Sequence, residues 1–269
     1  MIIDFHTHVF PDKIAKPTID FLASKSGYAP YSDGTVQGLI SLMEKGSIDK
    51  SVILPVVTKP SQFESVNKFA AELNNTDRIW SFGGIHPYDE TPEAHLEEIK
   101  KMGLYGIKLH PDYQKAFIDD ERYIRIIRYA LSIGLAVITH SGVDDGCDGE
   151  VKCTPDRVLR VLDEVYKGST PDEPGLILAH GGGFKMHKEV IEKLCGLPVY
   201  FDLAFISEFT DADTLLSIIC THGADKILFA SDSPWSDPGV SAERIKALSL
   251  TEKELRMIFS ENALSILHV

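Results

Sequence analysis

The segment IIDFHTH, at residues 2–8, is an apolar run that ends in two histidines one residue apart. Further apolar, β-rich runs of similar length follow it along the chain. We predict strands at residues 2–8, 51–57, 79–86, 105–110, 135–140, 176–181, 198–204 and 226–232. Their hydrophobicity is continuous rather than alternating, which is typical of strands buried on both faces. Residues 2–8 are therefore predicted as a buried parallel strand.

The segments between these runs have helical patterns. Residues 61–75 begin with a Ser-x-x-Glu capping box formed by Ser61 and Glu64. Three more helices, each with a threonine at the N-cap, are predicted at 91–103, 154–168 and 251–259. Strand and helix alternate eight times, which predicts parallel strands joined by crossover helices. We predict an α/β fold, a (β/α)8 TIM barrel that forms a single domain over residues 1–269, with an open doubly wound sheet as the alternative.

The composition limits the partners and the location. The net charge of −13 gives no basic footprint for a phosphate backbone, so we expect no nucleic-acid partner. No run approaches the roughly 18 apolar residues of a membrane span, and the N-terminus lacks the pattern of a signal peptide. We expect a cytoplasmic protein with four free thiols and a small-molecule substrate, and a homodimer is compatible with the sequence.

Six of the ten histidines lie at the ends of predicted strands, and Asp232 ends the last strand. Residues i and i+2 of a strand face the same side, so His6 and His8 can share one cation. A barrel brings the carboxyl ends of its strands around one axis. We therefore predict a metal site among His6, His8, His86, His110, His140, His180 and Asp232. The remaining histidines, predicted on helices or at their ends, are interpreted as surface residues: His95, His187, His222 and His268.

Neutral imidazoles with one carboxylate suit Zn²⁺, and Mn²⁺, Fe²⁺ or Co²⁺ are alternatives. The connection after the fifth predicted strand, SGVDDGCDGEVKC at 141–153, is long and polar. Long loops at this end of a barrel are usually functional, so we predict that it covers part of the site. A mobile acidic loop with no role is the alternative.

Several motifs carry a family resemblance. Six lie at the strand ends and one is terminal: DFHTHVFP (4–11), GIKLHP (106–111), ITHSG (138–142), LAHGGG (178–183), YFDLA (200–204), FASDSPW (229–235) and the terminal ENALSIL (261–267). With them, essentially the whole chain resembles the amidohydrolase superfamily of metal-dependent (β/α)8 hydrolases, in particular the amidohydrolase-2 group. The motif GIHP (84–87) is also similar to the TatD-type metal-dependent deoxyribonucleases.

The resemblance implies roles for these residues. It implies a divalent metal, with zinc as the first choice and one or two ions, held by His6, His8, His140 and Asp232. It implies that Asp232 also accepts the proton of a water that the metal activates. His180 then acts as a general acid or base beside one metal, or ligates a second one.

The fourth predicted strand carries Lys108, in phase with His110. Several branches of the superfamily place a carboxylated Lys or a Glu on this strand. We expect the Lys108 ammonium, with His110, to bind an anionic substrate group. The alternatives are a carboxylated Lys108 that bridges two metals and a Lys108 paired with Asp202. His86 is assigned to substrate contact, or else to a hydrogen bond behind a ligand, and Asp202 is expected to orient a ligand histidine.

These assignments predict a metal-dependent hydrolase that acts on an amide, lactone or ester bond of a small anionic substrate. A metal-dependent decarboxylase of the same group is the alternative, followed by a TatD-type nuclease and a non-catalytic metal-binding protein. The acidic balance of the chain and the presence of Lys108 rather than a glutamate argue against the nuclease.

Overall fold

The computed structural model describes residues 1–74, 76–167 and 175–269. Residues 75 and 168, the last positions of two predicted helices, lie outside the described residues. The strands are shorter than predicted, and the third one is divided into two. They are β1 (Ile3–Thr7), β2 (Lys50–Ile53), β3 (Ile79–Ser81), β4 (Gly83–Gly84), β5 (Gly106–Leu109), β6 (Ala136–Thr139), β7 (Leu176–Leu178), β8 (Tyr200–Asp202) and β9 (Ile227–Leu228).

The strands pair in chain order and the pairs are parallel, from β1 to β3 and from β4 to β9. Phe82, between β3 and β4, donates its N–H to the carbonyl of Ile53 at 2.9 Å and so keeps the ladder continuous. The Phe5 N–H donates to the Phe229 carbonyl at 2.9 Å, which joins the first strand to the last. This closure confirms the TIM barrel and excludes the open sheet.

Helices cover the outside of the barrel and its connections. They are α1 (Asp12–Ser26), α2 (Val36–Gly46), α3 (Phe63–Leu73), α4 (Pro92–Lys101), α5 (Pro111–Gln114), α6 (Glu121–Ser132), α7 (Pro155–Tyr166), α8 (His187–Lys193), α9 (Ile206–Phe209), α10 (Ala212–His222), α11 (Pro238–Lys246), α12 (Glu252–Arg256) and α13 (Asn262–Leu267). Among the described helices, none is long and apolar enough to cross a membrane.

The helix starts were predicted with mixed success. The side chain of Thr251 caps α12 in a capping box with Glu254, and Thr154 caps α7. The predicted box of Ser61 and Glu64 is wrong. A short 3-10 helix (Pro60–Gln62) precedes α3, and the side chain of Gln62 accepts the N–H groups of residues 58 and 59 instead.

His222, at the end of α10, is not a surface residue. Its side chain is buried, its ring stacks on Phe201 at 3.8 Å, and its Nε2 donates to the Val199 carbonyl at 2.8 Å. Its Nδ1 accepts the Gly196 N–H at 3.2 Å, so both nitrogens of the neutral ring are used. Burial lowers the pKa of His222 to about 4. The interpretation of this histidine as a surface residue is therefore wrong.

This burial predicts a pH-dependent stability. Below about pH 6.5 the unfolded His222 takes up a proton and the folded one does not, so stability falls as the pH decreases toward the folded pKa. Between about pH 7.5 and about pH 5, the unfolding free energy of the native protein should fall by about 2 kcal/mol more than that of His222→Gln. Urea unfolding at both pH values measures this difference. The exposed His268→Gln should behave like the native protein, and an equal pH dependence in His222→Gln would contradict the prediction.

Candidate metal centre

Two backbone irregularities place histidines at the carboxyl end of the barrel. Successive residues of a regular strand face opposite sides. Phe5 packs in the barrel interior with Leu54 and Leu228, yet the next residue, His6, also faces the inside of the barrel at its carboxyl end. The pairing of β1 with β2 shifts register between Asp4 and Thr7, and such a bulge redirects side chains. His180 and Asp232 have positive φ values of 59° and 74°, which are uncommon for residues other than glycine and recur at functional sites.

Three hydrogen-bond acceptors converge at this end; we call His6, His8 and Asp232 the metal triad. The Nε2 atoms of His6 and His8 are 3.1 Å apart. Asp232 Oδ1 is 3.4 Å from His6 Nε2 and 3.2 Å from His8 Nε2. Ligand atoms this close form a group that could hold one metal ion.

The second nitrogen of each ring in the triad has a fixed partner. His8 Nδ1 is 2.9 Å from the Leu54 carbonyl, which only accepts, so the neutral ring carries its proton on Nδ1. His6 Nδ1 is 2.7 Å from Asp202 Oδ2 and donates to it in the same way. Burial, followed by the charge of Lys108, lowers the pKa of His6 well below its usual range. Two unprotonated Nε2 atoms and a carboxylate oxygen therefore face one another, and Lys108 Nζ lies 3.1 Å from His6 Nε2.

Asp202, on β8, holds two histidines in position. Its Oδ2 bonds to His6 Nδ1, and its Oδ1 accepts the N–H groups of His180 at 2.8 Å and Ala204 at 3.0 Å. The side chain is fully buried. This arrangement agrees with the expectation that Asp202 orients a ligand histidine rather than contacting substrate.

His140 and His180 form a second pair beside the triad. His180 Nδ1 is 3.0 Å from the Ala204 carbonyl, so its Nε2 is bare in the neutral ring and lies 3.0 Å from His140 Nδ1. The ring centroids of His180 and His6 are 5.3 Å apart. His140 Nε2 is buried and has no hydrogen-bond partner among the described residues. His140 thus adjoins the triad without being part of it, and its role as a ligand stays a prediction.

Lys108 is buried beside the triad, with 1% of its surface exposed. Its Nζ is 3.1 Å from His6 Nε2, and within the described chain no direct salt bridge joins it to Asp202. Burial is the main cause that lowers its pKa, to about 8, although Asp202 and Asp232 oppose this effect. The structure thus presents a buried amine without a contacting carboxylate.

His110 lies in a stack of three rings, with Tyr113 on one side and His140 on the other; we call these residues the imidazole stack. The centroids of His110 and Tyr113 are 3.9 Å apart and those of His110 and His140 are 4.4 Å apart. Tyr113 donates its N–H to His110 Nδ1 at 3.4 Å. His110 Nε2 faces Asp144 Oδ2 at 3.4 Å.

His86 is not brought to the same place. It is buried, and its Nδ1 accepts the Tyr88 N–H at 3.2 Å in the turn after β4. It does not line the cavity described below. Burial lowers the pKa of His86, so the ring is neutral at neutral pH. The geometry supports a structural role for His86 in this turn rather than the expected contact with substrate.

The metal triad, Lys108 and the imidazole stack line one cavity of about 560 Å³. The prediction that the loop at 141–153 covers part of the site is confirmed, because residues 143–147 line the cavity. Gly142 lets this loop start against the backbone of Phe184, where a side chain would collide. Sequence analysis missed Asp144, for which the acidic loop was the only signal. Apolar and aromatic side chains complete the wall: Phe10, Phe21, Tyr28, Phe184, Phe205 and Trp235.

Solved structures share this fold at low sequence identity, and no curated protein matches the chain in sequence. 5-Carboxyvanillate decarboxylase from Sphingomonas paucimobilis is 15% identical, with 100% of this chain and 99% of that chain covered and a TM-score of 0.69. A dihydroxybenzoic acid decarboxylase from Polaromonas, solved with manganese and 2-nitroresorcinol, is 16% identical, with 99% and 96% covered and a TM-score of 0.68.

A putative 2-pyrone-4,6-dicarboxylic acid hydrolase from Pseudomonas putida is 18% identical, with 99% and 97% covered and a TM-score of 0.67. These likenesses show a shared fold. The family model matches nearly the whole chain, over residues 3–269. The chain therefore belongs to the amidohydrolase family that this model describes, the amidohydrolase-2 group.

Proposed function

We propose that this protein is a metal-dependent hydrolase of a small carboxylate substrate, acting on an amide, lactone or ester bond. The observation that carries the proposal is the convergence of three acceptors in the metal triad, with His6 Nε2 and His8 Nε2 only 3.1 Å apart. Bare lone pairs repel one another at this distance, and a shared cation relieves the repulsion. The family and its solved structures consist largely of metal-dependent enzymes, which supports the proposal.

The residues of the triad fit a divalent cation. Two imidazole nitrogens and one carboxylate oxygen suit zinc or manganese, and one of the similar solved structures contains manganese. His140 is the fourth ligand that the sequence predicts. A bound metal would lower the pKa of a water and polarise a substrate carbonyl.

The other groups have complementary tasks. Among the described residues no carboxylate contacts the buried Lys108 amine, so its ammonium form would pair with the carboxylate of the substrate. Asp232 and the bare Nε2 of His180 accept protons, and His180 can return its proton to the leaving group. Hydrolysis begins by taking a proton from water. Because both groups are acceptors in this structure, they favour hydrolysis over a reaction that first requires a proton donor.

Decarboxylation is the second candidate function. It is favoured by two of the solved structures above, which are described as decarboxylases of aromatic carboxylic acids. The aromatic wall of the cavity would suit such a substrate as well as it suits a lactone ring.

One experiment separates the two candidates. Protein reconstituted with zinc or manganese is incubated with a panel of ring carboxylates, carboxylated lactones and N-acyl amino acids. Acid release from the lactones is followed by pH-stat titration, amine release from the N-acyl amino acids by an amine-reactive dye, and CO2 is measured in the headspace. We expect acid or amine release without CO2, and the metal-free protein should be inactive. CO2 release would establish the decarboxylase instead, and turnover that survives metal removal would refute both.

Replacing Asp202 with asparagine should weaken metal binding about 10- to 100-fold, because the carboxylate that orients His6 and raises its basicity is lost. Competition with a chromogenic chelator measures the metal affinity. Asp225→Asn, which removes the same charge at the surface, is the matched control. An unchanged affinity in Asp202→Asn would show that the Asp202 carboxylate does not strengthen metal binding by His6.

A further inference from the structure

The proposed function leaves one pair of groups in the cavity without a task. His110 and Asp144 both line the cavity, and their side chains are only 9% and 11% exposed. His110 comes from the end of β5, whereas Asp144 comes from the loop at 141–153. One residue of the pair comes from a barrel strand and the other from a covering loop. The tertiary fold, rather than the local sequence, therefore brings the pair together.

The hydrogen bonds around the pair define a donor and an acceptor. Tyr113 donates its N–H to His110 Nδ1, so this nitrogen is bare and the proton of the ring is on Nε2. Asp144 Oδ1 already accepts the Gly146 N–H at 2.7 Å. Its Oδ2 lies 3.4 Å from His110 Nε2, and the Cys147 thiol also contacts this carboxylate. A donor and an acceptor thus stand side by side in the cavity wall.

The distance between His110 Nε2 and Asp144 Oδ2 allows a third atom to bridge them by hydrogen bonds. His110 Nε2 and Asp144 Oδ2 are 3.4 Å apart but lack the alignment of a hydrogen bond, so both atoms can still bond to another group. An oxygen about 2.8 Å from both atoms would complete a triangle with normal hydrogen bonds. A hydroxyl oxygen suits this position because it can accept from His110 and donate to Asp144 at once.

We propose that His110 and Asp144 form a subsite that recognises a hydroxyl group of the substrate. The inference rests on the proposed function and narrows its substrate class to hydroxylated carboxylates, with Lys108 taking the carboxylate. It changes the sequence-based expectation for His110, which was an anion-binding role. Asp144 would repel a carboxylate at this position, and an ether or keto oxygen could accept from His110 but could not donate to Asp144.

The geometry favours a hydroxyl over a second metal ion at this pair. His110 and His140, with Asp144, lie close enough to be considered as ligands. However, the rings of His110 and His140 are parallel within 10°, so their lone pairs run side by side rather than toward one point. The imidazole stack also fixes the plane of the His110 ring, whose Nε2 lies near Asp144 without a direct hydrogen bond to it.

Binding of matched probes tests the subsite. Benzoate, the three monohydroxybenzoates and the corresponding methoxybenzoates are titrated into metal-reconstituted protein by calorimetry. We expect at least one hydroxybenzoate to bind about tenfold tighter than benzoate and than its own methyl ether. In Asp144→Ala the gain in affinity from the hydroxyl group should fall below about twofold. The gain in affinity should persist in Asp148→Asn, because Asp148 belongs to the same loop but is exposed and does not line the cavity.

The outcomes separate this inference from the proposed function. If benzoate binds but hydroxylation gives no gain, or if the gain survives in Asp144→Ala, the hydroxyl subsite is refuted and the carboxylate substrate stands. If no probe binds, the carboxylate substrate class is wrong and the subsite falls with it. His110→Phe, which keeps an aromatic ring in the stack but lacks the donor, should also lose the gain. If Asp144→Ala does not fold, His110→Phe is the variant that tests the hydroxyl subsite.

Discussion

A protein in which His8 is replaced by alanine is expected to lose its metal. After reconstitution and gel filtration, elemental analysis should show a fall from about one ion per chain to below about 0.1. The reason is geometric: His8 Nε2 is within 3.2 Å of both other donor atoms of the metal triad, so its removal leaves only His6 and Asp232 on that side. Two donors hold a divalent ion far more weakly than three or four.

The folded state should survive this change. His8 is partly exposed at the cavity, and its loss leaves only the Leu54 carbonyl without a donor. Circular dichroism should therefore be unchanged, whereas the stabilisation by metal should disappear; at a metal concentration about 100 times the Kd, the native protein should gain about 2.7 kcal/mol. His268→Ala, at an exposed position, is the matched control. Full metal content in folded His8→Ala would mean that the triad is not the metal site.

The strand-end histidines were predictable because a barrel places the ends of its strands around one axis, whatever the details of each strand. That argument brought His6, His8, His180 and Asp232 together, as the structure shows. The shift of register in β1 and the positive φ of His180 were not predictable. Both depend on pairing with neighbouring strands, and no local pattern in the sequence specifies them.

Errors arose where tertiary contacts, rather than periodicity, decide the environment. The helical pattern does not decide whether the His222 side chain is buried or exposed. Its stacking on Phe201 buries it. His86 ends a predicted strand where the chain turns, and its ring accepts the N–H of Tyr88; its contact with substrate stays a prediction. Asp144 belongs to an acidic loop whose fold over the cavity depends on Phe184, which lies beyond the next strand. For His222 and Asp144 the deciding partner is distant in sequence.

Replacing Asp232 with asparagine is expected to lower kcat about 1,000-fold on whichever substrate the panel identifies, measured at saturating metal. The neutral amide keeps the shape of the side chain and tolerates the φ of 74°, but it cannot accept a proton. Asp225→Asn, at the surface, should keep full activity.

Chemical rescue distinguishes a proton acceptor from a residue that only shapes the site. Asp232→Gly also suits the positive φ and leaves space for a small acid. Added formate should raise its kcat at least about tenfold, whereas Asp232→Asn, whose amide fills that space, should not respond. Chloride at the same ionic strength is the control for the screening of charges by added salt. If Asp232→Asn keeps more than about a tenth of the native kcat, or if formate has no effect on metal-loaded Asp232→Gly, the proton is accepted elsewhere. The bare Nε2 of His180 is then the group to replace, because it is the other acceptor beside the triad.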